Sequence, residues 1–81
     1  MQVVVLSPEK EIFNGEANRV KVPGASGQFE ILNGHAPIVS SLEKGVVSIS
    51  KTGGEPFTVA IRQGFVEVLQ NEVAVLVVPE D

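Results

Sequence analysis

The segment Phe57-Thr58-Val59-Ala60-Ile61-Arg62 is the longest run in the chain with a clear two-residue alternation of large apolar and other side chains. A period of two places successive side chains on opposite faces of a β-strand, whereas a helix repeats every 3.6 residues. Shorter runs with the same period occur at residues 20–22, 29–31 and 47–50. The pattern therefore predicts strands with one buried and one exposed face.

Two further runs, residues 3–6 and residues 73–78, are apolar at every position. A run of this kind fits a strand that is covered on both faces, and a buried helix is the alternative. Both runs are short and rich in Val, whose β-branched side chain favours strands. We expect strands here, with Val73, Val75 and Val77 in the core.

Turn residues divide the chain at close intervals. The turn signals are Ser7-Pro8, Asn14-Gly15, Pro23-Gly24, Gly27, Asn33-Gly34, Gly45, Gly53-Gly54, Gly64 and Gln70-Asn71. Short strands with regular turns are typical of an antiparallel sandwich or barrel, here of about eight to ten strands. Asn33-Gly34 is in addition a β-hairpin signal, because both residues tolerate positive φ.

Length and charge restrict the possible functions. The chain has 81 residues, which is enough for one domain, and a formal net charge of −4. Its six basic residues are spread along the sequence, which argues against nucleic-acid binding. No apolar run approaches the roughly 20 residues of a transmembrane helix, and the first residues do not resemble a signal peptide. The absence of Cys fits a reducing compartment.

The residues needed for catalysis or metal binding are scarce. The chain contains one His, His35, and one Asp, Asp81, so a Ser-His-Asp triad would depend on the last residue. One His with scattered Glu residues gives no zinc-ligand spacing. The loop at residues 23–27 lacks the Gly-Lys-Ser/Thr ending of a phosphate-binding loop. We therefore expect no catalytic, metal or cofactor site.

Residues 15–47 carry the most specific pattern. They include Pro23-Gly24-Ala25-Ser26-Gly27-Gln28-Phe29, then Asn33-Gly34-His35-Ala36-Pro37, then Lys44-Gly45-Val46-Val47. An opening strand with Ser-Pro-Glu precedes this pattern, and Gly64-Phe65-Val66-Glu67-Val68 and Asn71-Glu72-Val73-Ala74-Val75-Leu76 follow it. In order and spacing the whole chain resembles the N-terminal domain of the F-type ATP synthase epsilon subunit, called delta in mitochondria.

The resemblance implies a flattened antiparallel β-sandwich over residues 1–81, without the C-terminal helical hairpin of most bacterial members. It also implies a non-catalytic rotor subunit of the F1 sector, which couples c-ring rotation to the γ subunit in proton-driven ATP synthesis. The implied partners are the γ subunit, the c-ring and the α and β subunits, with no cofactor. The implied location is the cytoplasmic face of the bacterial inner membrane, or an organellar membrane, reached through the complex.

The resemblance also implies roles for particular residues. His35 and Ser40 are expected to contact the γ subunit; the alternative for His35 is a turn residue whose ring bonds to nearby backbone. The expected c-ring contacts are Ala25, Ser26, Gln28, Phe29 and Glu30, and the alternative is an ordinary surface turn. Gly24, Gly27, Asn33, Gly34 and Pro37 are expected to set turn geometry. Val4, Leu76 and Val78 are expected in the core, or else against the γ subunit.

Two other classes of function stay open from the residues alone. One is a small binding module, which would need an apolar pocket with convergent polar groups. The chain has no Trp or Tyr to line such a pocket. The other is a hydrolase or lyase, which is disfavoured because the sequence lacks a set of catalytic residues at suitable positions.

Overall fold

One long strand joins the two layers of the molecule. The computed structural model describes residues 1–80, which contain eight strands and no helix. The strands are β1 (Gln2–Leu6), β2 (Glu11–Glu16), β3 (Arg19–Gly24), β4 (Gly27–Leu32), β5 (Ile38–Leu42), β6 (Gly45–Ser50), β7 (Phe57–Leu69) and β8 (Glu72–Pro79). The predicted all-β class is confirmed.

Strand β7 is long enough to belong to both layers. Its first half pairs with β6, with Val59 opposite Val47. Its second half lies between β5 and β8, so that Val66 has Ser40 on one side and Val75 on the other. A register shift between Ile61 and Gln63 marks the change of layer, as β-bulges commonly do where a strand bends.

The layers can therefore be defined by their central strands. The β6 layer contains β4, β3, β6 and the first half of β7, and the β8 layer contains β2, β1, β8, the second half of β7 and β5. One backbone pair between Gly24 and Leu42 connects β3 to β5 and closes the fold. The ladders are antiparallel except that β1 and β8 run parallel, with Val3 opposite Val73.

The core lies between the layers and is built mainly from Val. The buried apolar residues are Met1, Val3, Val5, Ala17, Val20, Val22, Ile31, Leu42, Val47, Ile49, Ile61, Val66, Val68, Val73, Val75 and Val77. The rings of Phe13 and Phe57 pack at a centroid distance of 5.2 Å with an interplanar angle of 39°, and both residues follow the inward register of their strands. The predicted core positions in residues 73–78 are confirmed, since Val73, Val75 and Val77 are each at most 3% exposed. Val4 and Val78 are half-buried and Leu76 is exposed.

The structure corrects the Asn33-Gly34 hairpin prediction. Strands β4 and β5, which flank these residues, do not pair with each other, because β4 pairs with β3 and β5 pairs mainly with β7. Gly34 has φ +79°, but Asn33 is not among the residues with positive φ. Instead, Asn33 Oδ1 accepts a hydrogen bond from the Met1 amino group at 2.8 Å.

The turn with two positive-φ residues lies between β7 and β8. Gln70 has φ 51° and Asn71 has φ 62°, which is the backbone of a two-residue type I′ hairpin turn. Asn71 Oδ1 also accepts a hydrogen bond from Gly34 N–H at 2.9 Å. The β7–β8 turn and the β4–β5 loop are thus tied together at one end of the sandwich.

Two other turn signals lie inside strands. Asn14 and Gly15 are within β2, and Gly64 is within β7. At Gly64 the missing side chain serves close packing, because an added Cβ would lie 2.5 Å from the carbonyl oxygen of Leu76. This glycine marks a close approach of two strands, which sequence alone does not distinguish from a turn.

Candidate partner-binding surfaces

The outer face of the β8 layer exposes several large apolar side chains to solvent. Four large side chains point outward from it: Val39 (67% exposed), Phe65 (52%), Leu69 (53%) and Leu76 (48%). Around them lie the half-buried Val4, Leu6, Ala74 and Val78. We call these eight residues the apolar face. Their positions follow from strand register, because each alternates with a buried residue such as Val66 or Val75.

A groove at one end of the apolar face has a volume of about 540 Å³. Its lining includes Leu6, Leu42, Phe65, Leu76 and Val78, together with Ser41 and Gln63. Phe65 and Leu76 are direct cross-strand partners, so they form one continuous apolar surface. The groove suits an apolar side chain from a partner.

The outer face of the β6 layer has a different character. Its central positions carry Arg19 and Lys21 on β3 opposite Ser50 and Ser48 on β6. Thr58 lies beside Ser48 on β7. Leu32 and Val46 are exposed toward the margins of this face. The two sides of the sandwich therefore differ in polarity, and the apolar side is the better candidate for a stable interface.

His35 lies in the loop that connects β4 and β5. Its backbone N–H donates to Leu32 O at 3.0 Å, and its ring Nδ1 lies 2.7 Å from Ala36 O. The ring is half-buried, and Ala36 and Pro37 beside it are exposed. The local contacts match the alternative of a turn His bonded to nearby backbone, and its contact with a γ subunit stays a prediction.

Ser40 lies on the inner side of β5. Its cross-strand partner is the fully buried Val66, and its hydroxyl donates to Ser41 O at 3.2 Å. The outward positions of β5 are Val39 and Ser41, and Ser41 faces Phe65 across the ladder. On this side the strand presents Val39 and Ser41, and the contact of Ser40 with a γ subunit stays a prediction.

The expected c-ring residues lie on the β3–β4 hairpin. Ala25 and Ser26 form its exposed two-residue tip between the paired Gly24 and Gly27. Gly27 has φ +127°. A Cβ on Gly24 would lie 2.7 Å from both Gly27 O and Phe29 Cε1. The tip therefore requires glycine at position 24 for space and favours it at position 27 for backbone conformation.

The side chains that follow the tip differ in solvent exposure. Gln28 is exposed, Phe29 is half-buried against the core, and Glu30 is exposed. Glu30 Oε2 accepts a hydrogen bond from Arg19 Nη1 at 3.2 Å.

The tip of the hairpin lies at the end of β5 where Leu42 pairs with Gly64, because Ala25 N–H donates a hydrogen bond to Ser41 O at 3.0 Å. The His35 loop lies at the opposite end of that strand.

Val39, Phe65 and Leu69 are not among the partner residues predicted from the sequence. The available signal was the alternation of Phe65, Glu67 and Leu69 with the core residues Val66 and Val68. Within residues 1–80, no group of three or more His, Cys, Asp or Glu side chains is placed to hold a metal ion. The described part of the chain also has no helix long and apolar enough to cross a membrane.

Comparisons with known proteins agree on one family. The family described as "ATP synthase, Delta/Epsilon chain, beta-sandwich domain" matches residues 1–78. The ATP synthase epsilon chain of Cyanothece sp. is 40% identical over 95% of this chain and 55% of its own length. That of Campylobacter fetus is 44% identical over 90% of this chain and 57% of its own length. The chain therefore spans little more than half the length of these relatives.

Solved structures show the same fold at low identity. A chain of the Tetrahymena thermophila mitochondrial ATP synthase central stalk and c-ring structure superposes with a TM-score of 0.82 at 20% identity, covering 95% of this chain and 62% of that one. A chain of the Euglena gracilis mitochondrial ATP synthase structure, comprising OSCP, F1 and c-ring, gives 0.85 at 22% identity, covering 94% and 49%. Together with the family's description, these superpositions assign the fold as a β-sandwich.

Proposed function

The chain belongs to the ATP synthase delta/epsilon family through its β-sandwich domain, and on that premise we propose that it is a rotor subunit of the central stalk. In this role it couples rotation of the c-ring to the γ subunit during proton-driven ATP synthesis. The chain itself performs no reaction; it binds its partner subunits and transmits torque between them. It acts at the cytoplasmic face of a bacterial inner membrane, where the complex with α, β, γ and the c-ring retains it.

The apolar face carries this proposal. A soluble monomer rarely leaves a large continuous apolar surface uncovered, and such surfaces commonly mark protein interfaces. Phe65 and Leu76 are each about half exposed and adjacent. Covering the exposed part of each contributes roughly 2 kcal/mol at about 25 cal/mol per Å². We assign this face to the γ subunit.

The β3–β4 hairpin supports a second contact, with the c-ring. Its tip, Ala25 and Ser26, projects at the end of the sandwich opposite the His35 loop, and Gln28 beside it is exposed. A small contact through a hairpin tip suits a polar loop of a ring, whereas the broad apolar face suits the larger γ interface. A rotor subunit needs both, because torque passes through it only if each partner is held.

The test is binding of the purified chain to an F1 sector stripped of its own epsilon-type subunit. Phe65→Ser and Leu76→Ser remove apolar surface from the proposed interface, and Thr58→Ala alters the outer face of the other layer as a matched control. We expect each apolar-face variant to weaken binding at least 5-fold and the control to bind as the unmodified chain does. Restoring the unmodified chain should also raise ATP synthesis per proton translocated. Equal binding by all variants, or no binding by the unmodified chain, overturns the proposal.

A further inference from the structure

Two carboxylates are set into the apolar face. Glu67 on β7 is the cross-strand partner of Ala74, and Glu72 on β8 is the partner of Leu69. The two acids are diagonal neighbours on the outer side of the ladder, a relation that corresponds to about 7–8 Å. Both are exposed.

A second groove, of about 440 Å³, lies over these acids. Its lining includes Gln2, Val4, Asn14, Glu67, Leu69 and Glu72. Its lining combines apolar walls with two acids, and it contains no basic residue. The amide groups of Gln2 and Asn14 are engaged with each other, since Gln2 Nε2 donates to Asn14 Oδ1 at 2.6 Å.

Neither Glu67 nor Glu72 belongs to an ion pair described within residues 1–80. The ion pairs among residues 1–80 involve Glu16, Glu30 and Glu80. Strands β1, β5 and β8 and residues 63–69 of β7 contain no Lys or Arg at all. A partner that covered this face with apolar side chains alone would desolvate two unpaired negative charges, which costs several kcal/mol per ion.

We infer that the γ segment seated on the apolar face carries a Lys or Arg whose charged group lies between Glu67 and Glu72. This inference rests on the proposed function. The aliphatic stem of such a side chain lies along Val4, Ala74 and Leu69, as long basic side chains do when they cover apolar surface. An apolar side chain of the same segment fills the groove beside Phe65 and Leu76.

Strand geometry fixes the spacing of these two anchors. Phe65 and Glu67 are two residues apart on one strand, which separates them by roughly 7 Å. A helix rises about 6 Å over four residues. The matching partner segment therefore presents an apolar residue and a basic residue one helical turn apart, or two residues apart on an extended strand.

The pairing should act on the rate of association and on specificity. Complementary charges at an interface steer encounter and reject partners of the wrong sign, and salt screens the effect. The chain as a whole is negative, at −4, so a basic partner segment is attracted from a distance as well. Association with the γ subunit should then slow as salt rises.

The experiment measures binding of the full chain to epsilon-depleted F1 at about 50 and 300 mM salt. The variants are Glu67→Gln, Glu72→Gln, their combination and Glu67→Lys, and Glu55→Gln is the control, because Glu55 lies in the loop between β6 and β7. We expect the double variant to bind 5- to 10-fold more weakly at low salt, with a flattened salt dependence. Glu67→Lys should bind more weakly than Glu67→Gln, and the control should be unchanged.

The outcomes separate this inference from the proposed function. If Phe65→Ser weakens binding but the double Gln variant binds with unaltered affinity and salt dependence, the apolar face is the interface and the basic partner residue is refuted. Tighter binding by Glu67→Lys would also refute it, because the opposing surface would then be acidic. If neither set of variants changes binding, the γ subunit lies elsewhere and the proposed function loses its support. Far-UV circular dichroism checks that each variant is folded.

Discussion

Replacement of Gly64 by Ala tests the packing of the β7–β8 ladder. The added Cβ would lie 2.5 Å from Leu76 O and 3.2 Å from Val77 Cγ1. The first obstacle is backbone on a paired central strand, so relief requires β8 to move and its hydrogen bonds to lengthen. Overpacking of this kind costs about 1–3 kcal/mol, and we expect the upper half of that range.

The expected loss is large for a domain of this size. Stabilities of about 0.05–0.15 kcal/mol per residue give roughly 4–12 kcal/mol for the whole chain. A loss of about 2–3 kcal/mol should lower Tm by roughly 10–20 °C. Because the chain has no Trp or Tyr, thermal and urea unfolding are followed by far-UV circular dichroism.

Gly54→Ala is the matched control for this substitution. A Cβ on Gly54 meets Lys51 O at 3.5 Å and Lys51 Cβ at 3.8 Å, which are ordinary contacts. Its φ is not positive. We expect a change within about 0.5 kcal/mol for this exposed loop position. A Gly64→Ala chain as stable as the Gly54→Ala chain would refute the close approach of β7 and β8.

Three further substitutions probe the core, a turn and the hairpin. Val75→Ala empties part of a fully buried site and should cost about 2–3 kcal/mol by urea midpoint; a loss below about 1 kcal/mol contradicts this packing. Gln70→Asn should raise the free energy of unfolding by roughly 0.5 kcal/mol, since Asn suits the first position of a type I′ turn better; a lower urea midpoint contradicts that turn type. Glu30→Gln breaks an exposed pair with Arg19 and should change stability by less than about 1 kcal/mol. The same variant should weaken c-ring binding at low salt and flatten its salt dependence, and an unaltered salt dependence would exclude Glu30 from that contact.

Much of the fold could be predicted because alternation with a period of two indicates which side chains of a strand face the core. Val47, Ile49 and Ile61 are core residues in both the pattern and the structure. The length of β7 could not be predicted, because Gly64 resembles a turn signal in sequence. Its role depends on how closely β8 approaches, and this is a property of the folded sheet.

The partner surface was only partly predictable, for a related reason. Motif positions such as His35 stand out in sequence because their residue type is rare in the chain. Phe65 does not stand out, since an apolar residue in a Val-rich strand resembles core, and Leu76 was expected either in the core or against the γ subunit. Alternation in the sequence separates Phe65 from Val66, but the strand register is needed to show that Phe65 and Leu76 share the outer side while Val66 and Val75 face inward.

Protection of the apolar face by the γ subunit tests the proposed interface most directly. The chain has no Cys, so Ser41→Cys places a single thiol on the outer side of β5 beside Phe65, and Thr58→Cys places one on the outer face of the β6 layer. Both are treated with a maleimide reagent before and after binding to epsilon-depleted F1. We expect bound F1 to slow labelling at position 41 at least 10-fold and to leave position 58 reactive. Equal reactivity at position 41 in the free and bound chains, or protection at position 58 alone, would contradict it.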